Sequence, residues 1–169
     1  MSETWLISDT HFGHKNILEY SNRPFTSVEE MNEALVNNWN KVVSPNDVVY
    51  HLGDVFFTKN GAQHLRRLNG KKYLILGNHD DPDHEMIRDT FKEVRLWKSM
   101  KSVGLLLTHV PVYANILDET DRTDDRRPKH LKNVHGHLHN KVVGDTRYIN
   151  VSVEQIEYTP INIEELRAR

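Results

Sequence analysis

The sequence contains no cysteine, which excludes disulfides and thiolate metal sites and leaves nitrogen and oxygen as the ligands open to any bound metal. No apolar run approaches the roughly 20 residues of a membrane helix. Met1-Ser2-Glu3-Thr4-Trp5 is not a basic stretch leading into an apolar one. On these absences the chain is expected to be cytoplasmic, with no membrane partner. Neither sign of charge is in excess, since the formal net charge is -2 over 169 residues, so no overall field draws the protein toward polyanions. Nucleic acid stays open as a substrate without support from net charge. Repeats, low-complexity tracts and linkers are absent too, and one domain over residues 1–169 is expected, able to bury about two thirds of its unfolded surface. Composition is silent on oligomeric state.

What the chain has in quantity is histidine, with 11 residues, most of them at the ends of apolar runs. Tyr73-Leu74-Ile75-Leu76 leads into Gly77-Asn78-His79-Asp80. An unbroken apolar run suits a strand covered on both faces, and ligands gather just past the carboxyl ends of such strands. Gly77 allows a sharp turn there. Taken alone, Gly-Asn-His-Asp fits an ordinary polar turn equally well. Four further runs end the same way, at Asp9-Thr10-His11, Gly53-Asp54, Thr108-His109 and Gly136-His137-Leu138-His139. In extended chain Asp9 and His11 would face one side and share a pocket.

The intervening sequence sets an order of elements. Lys15 to Tyr20 suits a short helix. Ser27-Val28-Glu29-Glu30 has capping-box spacing ahead of an apolar stripe at Val28, Met31, Leu35, Trp39 and Val42, which is core packing. Val48 to Leu52 reads as a strand, Asn60 to Leu68 as a helix, and Tyr73 to Leu76 as the next strand. A helix is expected to start at Asp81-Pro82, with Asp80 preferred as its cap over a role in orienting the turn or His79, followed by extended chain over 93–97 and a strand over 103–107. The polar stretch 113–132 reads as a surface loop and, because it leaves just after His109, as a possible lid. Residues 133–135, 148–151 and 159–163 are short strand candidates, and 164–169 a terminal helical turn.

The ordered blocks Asp-x-His, Gly-Asp, Gly-Asn-His-Asp, His and Gly-His-x-His resemble those of the calcineurin-like metallophosphoesterase superfamily, over about three quarters of the chain, Asp9 to His139. The fold this implies is α/β, a four-layer αββα sandwich of two mixed β-sheets flanked by helices. By the same analogy Asp9, His11 and His139 would hold one divalent metal, Asn78, His109 and His137 a second, and Asp54 would bridge the two. Manganese is the favoured ion, with iron, zinc, cobalt and nickel also compatible with such ligands. A hydroxide bridging the ions would attack phosphorus, and His79 would protonate the leaving oxygen as general acid.

Departures from the family narrow the substrate. The chain continues Gly53-Asp54-Val55-Phe56-Phe57-Thr58, where phosphoprotein phosphatases of the superfamily carry an Asp-Arg-Gly block. It is also too short for the capping domain of the repair nucleases and is similar in size to small bacterial and phage phosphodiesterases. The resemblance therefore favours phosphodiesters, such as a nucleotide, cyclic nucleotide or short nucleic acid, with phosphomonoesters as the alternative. A non-catalytic scaffold of the same fold is the remaining reading. His14, with Lys15 and Asn16 beside it, is a candidate substrate contact, as well as a plausible surface or capping residue. Arg23, Tyr113 and 126–132 read first as solvated loop and second as phosphate readers. His51, His64, His84 and His135 match no ligand position and are assigned structural roles.

Overall fold

The computed structural model describes residues 2–117 and 132–168. Among the described residues, nine strands and five α-helices, joined by short 3-10 turns, form two mixed sheets with helices packed against them. The expected two-sheet α/β architecture is what these residues build.

The first sheet contains β1 (Thr4–Ile7), β2 (Val48–His51), β3 (Lys71–Ile75), β4 (Phe91–Arg95) and β9 (Ile161–Asn162), in the order β4-β3-β2-β1-β9. β1 to β4 run parallel, and β9 pairs antiparallel with β1. The second sheet has the order β5-β6-β7-β8, from β5 (Trp97–Met100), β6 (Leu105–Thr108), β7 (Lys132–His135) and β8 (Tyr148–Asn150). Its last three strands are parallel. Parallel pairing requires a return crossover between successive strands, and α1 (Ile17–Tyr20), α2 (Val28–Val42), α3 (Lys59–Ala62), α4 (Glu85–Thr90) and the intervening loops supply it.

α2 forms where expected. The Ser27 hydroxyl accepts from the Glu30 amide at 3.1 Å, a cap worth about 1 kcal/mol. The Glu30 carboxylate reaches back one residue further than a capping box requires, to the Thr26 amide at 2.7 Å. Met31, Leu35, Val36 and Trp39 are buried against Leu6, Val49 and Leu74 in one core cluster that also takes in Leu105, Leu107 and Val134 of the second sheet. Leu106 points the other way, as strand alternation demands, and lines a cavity with Asn115 and Ile116.

Three local expectations change. The helix over 60–68 is α3 followed by a 3-10 turn at Gln63–Arg67. α4 starts at Glu85 instead of Asp81, and its cap is His84, whose Nδ1 accepts from the Met86 amide at 3.1 Å. The strand over 103–107 begins at Leu105, because Gly104 turns left-handed at φ 69° after a 3-10 turn at Lys101–Val103. The C-terminal helical turn is α5 (Ile163–Ala168). Most of the expected loop and lid, 118–131, lies outside the described residues. Among those described, no helix is long and apolar enough to cross a membrane.

The topology places the strand ends together. Register pairs Ile7 with His51 and His51 with Leu74, so β1, β2 and β3 release their following loops along one edge. In the second sheet Leu107 pairs with Val134 and His135 with Asn150. The sheets join at this edge, where the Ser8 amide donates to Val151 O at 2.9 Å and the Val153 amide donates to Ser8 O at 3.1 Å.

Candidate metal centre

Seven side chains predicted from the strand ends meet at this edge, and the structure sorts most of them into two groups. Asp9, His11 and His139 form one, and Asp54, His109 and His137 the other, with the potential ligand atoms of each group within 4.8 Å of one another. Asn78 joins the second, its Oδ1 lying 2.9 Å from both His109 Nε2 and His137 Nδ1. Asp54 Oδ2 is 3.5 Å from His109 Nε2 and 3.6 Å from His11 Nε2, so one carboxylate oxygen faces both groups.

Each carboxylate is held by one oxygen and leaves the other turned inward. Asp54 Oδ1 accepts from the His79 amide at 2.9 Å. Asp9 Oδ2 accepts from the His137 amide and the Ser152 hydroxyl, each at 2.9 Å. Asp9 Oδ1 and both ring nitrogens of His11 are buried without a hydrogen-bond partner. Orphaned buried polar atoms are costly unless something compensates them. His109 Nδ1 lies 2.7 Å from Leu52 O and must donate its hydrogen there. In the neutral ring its Nε2 lone pair then faces the oxygens of Asn78 and Asp54, an arrangement of three acceptors that a proton or a cation satisfies. Convergent, unsatisfied nitrogen and oxygen lone pairs fit divalent cations in both groups.

Charge shifts without an ion agree with this crowding. Burial pushes Asp9 up, with the neighbouring His109 and His139 opposing it. Burial drives His11 down to about 2, against the pull of Asp54. His109 and His139 rise despite burial, because Asp54 and Glu154 respectively favour their protonated rings. Raised histidines are ones on which a proton takes the place a cation would fill.

The backbone at these positions departs from the extended chain expected for Asp9 and His11. Asp9, His11, Asp54, His137 and His139 all have left-handed φ, between 49° and 66°. Non-glycine residues rarely adopt that conformation, and it costs on the order of 1 kcal/mol each. The two loops compensate by bonding to each other, with the Asp9 amide on Gly53 O at 2.9 Å and the His11 amide on Asp54 O at 3.0 Å. Gly77, by contrast, has no left-handed φ. It is glycine because a Cβ there would collide with the Asp54 backbone nitrogen and Oδ1.

Several residues around the groups were given other roles in the sequence. Asp80 is not a helix cap. Its carboxylate accepts from the Asp54, Val55 and Gly77 amides at 2.9, 2.9 and 2.8 Å, clamping the ends of β2 and β3 together. Arg23 is neither solvated nor open to substrate, being 4% exposed. It donates to the carbonyls of Asp9 at 2.7 Å and Thr10 at 3.0 Å, and pairs with Glu154 at 2.8 Å. Glu154, missed in the sequence, also accepts from His139 Nδ1 at 3.0 Å, which turns His139 Nε2 toward Asp9 Oδ1, 3.7 Å away. No local pattern marks Glu154, since its partners are distant in the chain. His51 is structural as expected. Its Nδ1 accepts from the Gly53 amide at 3.2 Å and its other nitrogen meets Thr10 Oγ1 at 2.9 Å. His64 stacks on Phe12 from the 3-10 turn, and His135 is buried in β7.

His79 is exposed beside Asn78, with its ring centroid 5.8 Å from that of His11. His14 lies 5.6 Å from the same ring. Both line a cleft of about 610 Å³ with His11, His137 and His139. Asn78 and His109 border a second, more apolar cavity of about 790 Å³, with Trp97 and Val110 among its walls.

Residues 3–154 match the calcineurin-like phosphoesterase superfamily domain, and the chain belongs to that superfamily of metal-dependent phosphoesterases. An uncharacterized protein of Methanocaldococcus jannaschii is 36% identical over 97% of this chain and 89% of its own length. The gene 66 protein of mycobacterium phage L5 is 34% identical over 85% of this chain and 80% of its own. The crystal structure of a protein of unknown function from Aquifex aeolicus superposes with a TM-score of 0.76 at 30% identity, covering 99% of both chains.

Proposed function

We propose that the protein is a dinuclear phosphodiesterase in which Asp9, His11 and His139 hold one ion, Asn78, His109 and His137 hold the other, and Asp54 is shared. Manganese is the ion we propose for both. Two divalent ions held there would supply Lewis-acid charge to the phosphoryl oxygens and water acidified toward a pKa of about 7.

The protein's own groups have separate tasks. Asp9 and Asp54 are each fixed through one oxygen, so ligand placement costs no reorganisation when substrate arrives. His109 and His139 have defined tautomers, because Leu52 O and Glu154 each take the Nδ1 hydrogen, and their Nε2 lone pairs stay available. His79 needs no ligand role. An exposed imidazole beside the second group is placed to donate a ring N–H proton to the leaving oxygen, and His14 to touch the substrate in the same cleft.

The observation that carries the diester reading is the pair of cavities, one against Asn78 and His109 and the other against His11, His79, His137 and His139. A diester carries organic substituents on two sides of phosphorus, a monoester on one. The test is hydrolysis of bis(p-nitrophenyl) phosphate against p-nitrophenyl phosphate by metal-free protein reconstituted with manganese. Faster diester turnover is expected. Faster monoester turnover would replace this reading with a phosphatase, and no turnover with any of the five compatible metals would favour a scaffold.

A further inference from the structure

We propose that the cleft beside His79 is a nucleobase-binding site in which Phe57, backed by His14, forms the stacking platform for the leaving nucleoside. The proposal rests on the phosphodiesterase reading and names the chemistry on one side of the scissile bond.

Phe57 and Tyr20 are large aromatic side chains at the cleft, 52% and 73% exposed. Neither belongs to the core. The Phe57 ring stacks on His14 with centroids 4.0 Å apart and planes 27° from parallel, and Tyr20 meets His14 edge-on at 6.2 Å. His14 stacks on the Phe57 ring and yet 52% of the residue stays exposed, which leaves aromatic surface for a flat ligand. The platform is also fixed in advance. Phe12 and Phe56 form an isolated parallel bridge, and the Phe57 amide donates to Phe12 O at 2.9 Å. The same short segments that carry His11 and Asp54 therefore set the position of the ring.

The proposed acid sits against this platform. His79 and Phe57 are in T-shaped contact with centroids 5.9 Å apart, so a group whose oxygen is protonated by His79 lies within reach of Phe57. Asn16, Asn140 and Lys141 line the rest of the cleft, offering amide donors and acceptors for a base edge and one cation for a further phosphate. An aromatic face, a few polar groups and about 610 Å³ of space suit a nucleoside, and stacking tolerates every base because each has a π-face.

The experiment compares adenosine 5′-monophosphate, ribose 5-phosphate and inorganic phosphate binding to the manganese-loaded protein by calorimetry. Stacking of one base corresponds to about a 5- to 150-fold gain in affinity, so the adenylate should bind tighter than ribose 5-phosphate within that range. Phe57→Ala should remove the difference, and Phe57→Trp should restore it, with metal content and circular dichroism checked in both. Equal affinity of the two sugar phosphates for the parent, or a preference that survives Phe57→Ala, overturns the platform while leaving the phosphodiesterase standing. If manganese binds but none of the three phosphates does, the phosphoesterase reading and the platform both fall.

Discussion

Replacing Glu154 by glutamine keeps the shape of the side chain and removes the charge that links His139 to Arg23. In the parent, one carboxylate oxygen takes hydrogen bonds from His139 Nδ1 at 3.0 Å and Arg23 Nε at 2.9 Å. Arg23 has no exposed side-chain surface, and Glu154 has 5%, so neutralising one partner strands a buried guanidinium. Loss of one partner from a buried pair costs about 3–5 kcal/mol; glutamine retains an acceptor, and about 3 kcal/mol in urea unfolding is expected. The effect on metal is separable. A carboxylate behind a ligating histidine contributes about 10- to 100-fold in affinity, and among the described residues His139 is the proposed ligand histidine that has one. His109 is held by the Leu52 carbonyl. Manganese titration of the metal-free variant should therefore show one binding step weakened by about 10-fold or more and the other unchanged. Two steps at parental affinity, or equal weakening of both, would refute the assignment of Glu154 to one ion.

Three further outcomes follow from the same geometry. His79→Ala should lower turnover by about 100-fold or more while both ions stay bound, and parental turnover would remove His79 as the acid. Manganese at about 100 times the dissociation constant of each site should add about 2.7 kcal/mol to folding per ion, about 5.4 kcal/mol for two, which raises the melting temperature by about 11–22 °C for a chain of this size; scanning with and without chelator measures it. His51 is buried and neutral, and burial lowers its pKa from 6.5 to about 3. The unfolded chain thus binds the extra proton between those values, so stability is full above pH 6.5 and falls on acidification. Metal-free protein should lose about 1.4 kcal/mol per pH unit more than His51→Gln between pH 6 and 4, and parallel slopes would contradict a neutral buried His51.

The sequence carried the ligand types and their strand-end positions because both are local properties. Tyr73 to Leu76 followed by Gly77-Asn78-His79 is legible without knowing what lies across the sheet. The α2 cap and stripe are legible for the same reason. Local reading failed where a residue answers to a distant partner. Asp80 looks like a cap from its neighbours but binds the amides of Asp54 and Val55. Arg23 looks like solvated loop but is buried against Glu154, 131 residues away. Gly77 looks like a turn residue, yet what it must accommodate is the approach of Asp54.

By itself, then, the sequence determined that any metal here meets oxygen and nitrogen, and that the candidate ligands follow apolar strands. The tertiary structure alone decided the division of those ligands into two groups, the left-handed backbone that aims five of them, and the Arg23–Glu154 pair behind His139. The reason is physical. A side chain's chemistry and its place along a strand are set by the residue and its neighbours, whereas sharing one carboxylate between two ligand groups requires two sheets to meet at their carboxyl ends. That meeting is made by the backbone bonds of Ser8 with Val151 and Val153, through groups every residue carries and no sequence pattern can mark.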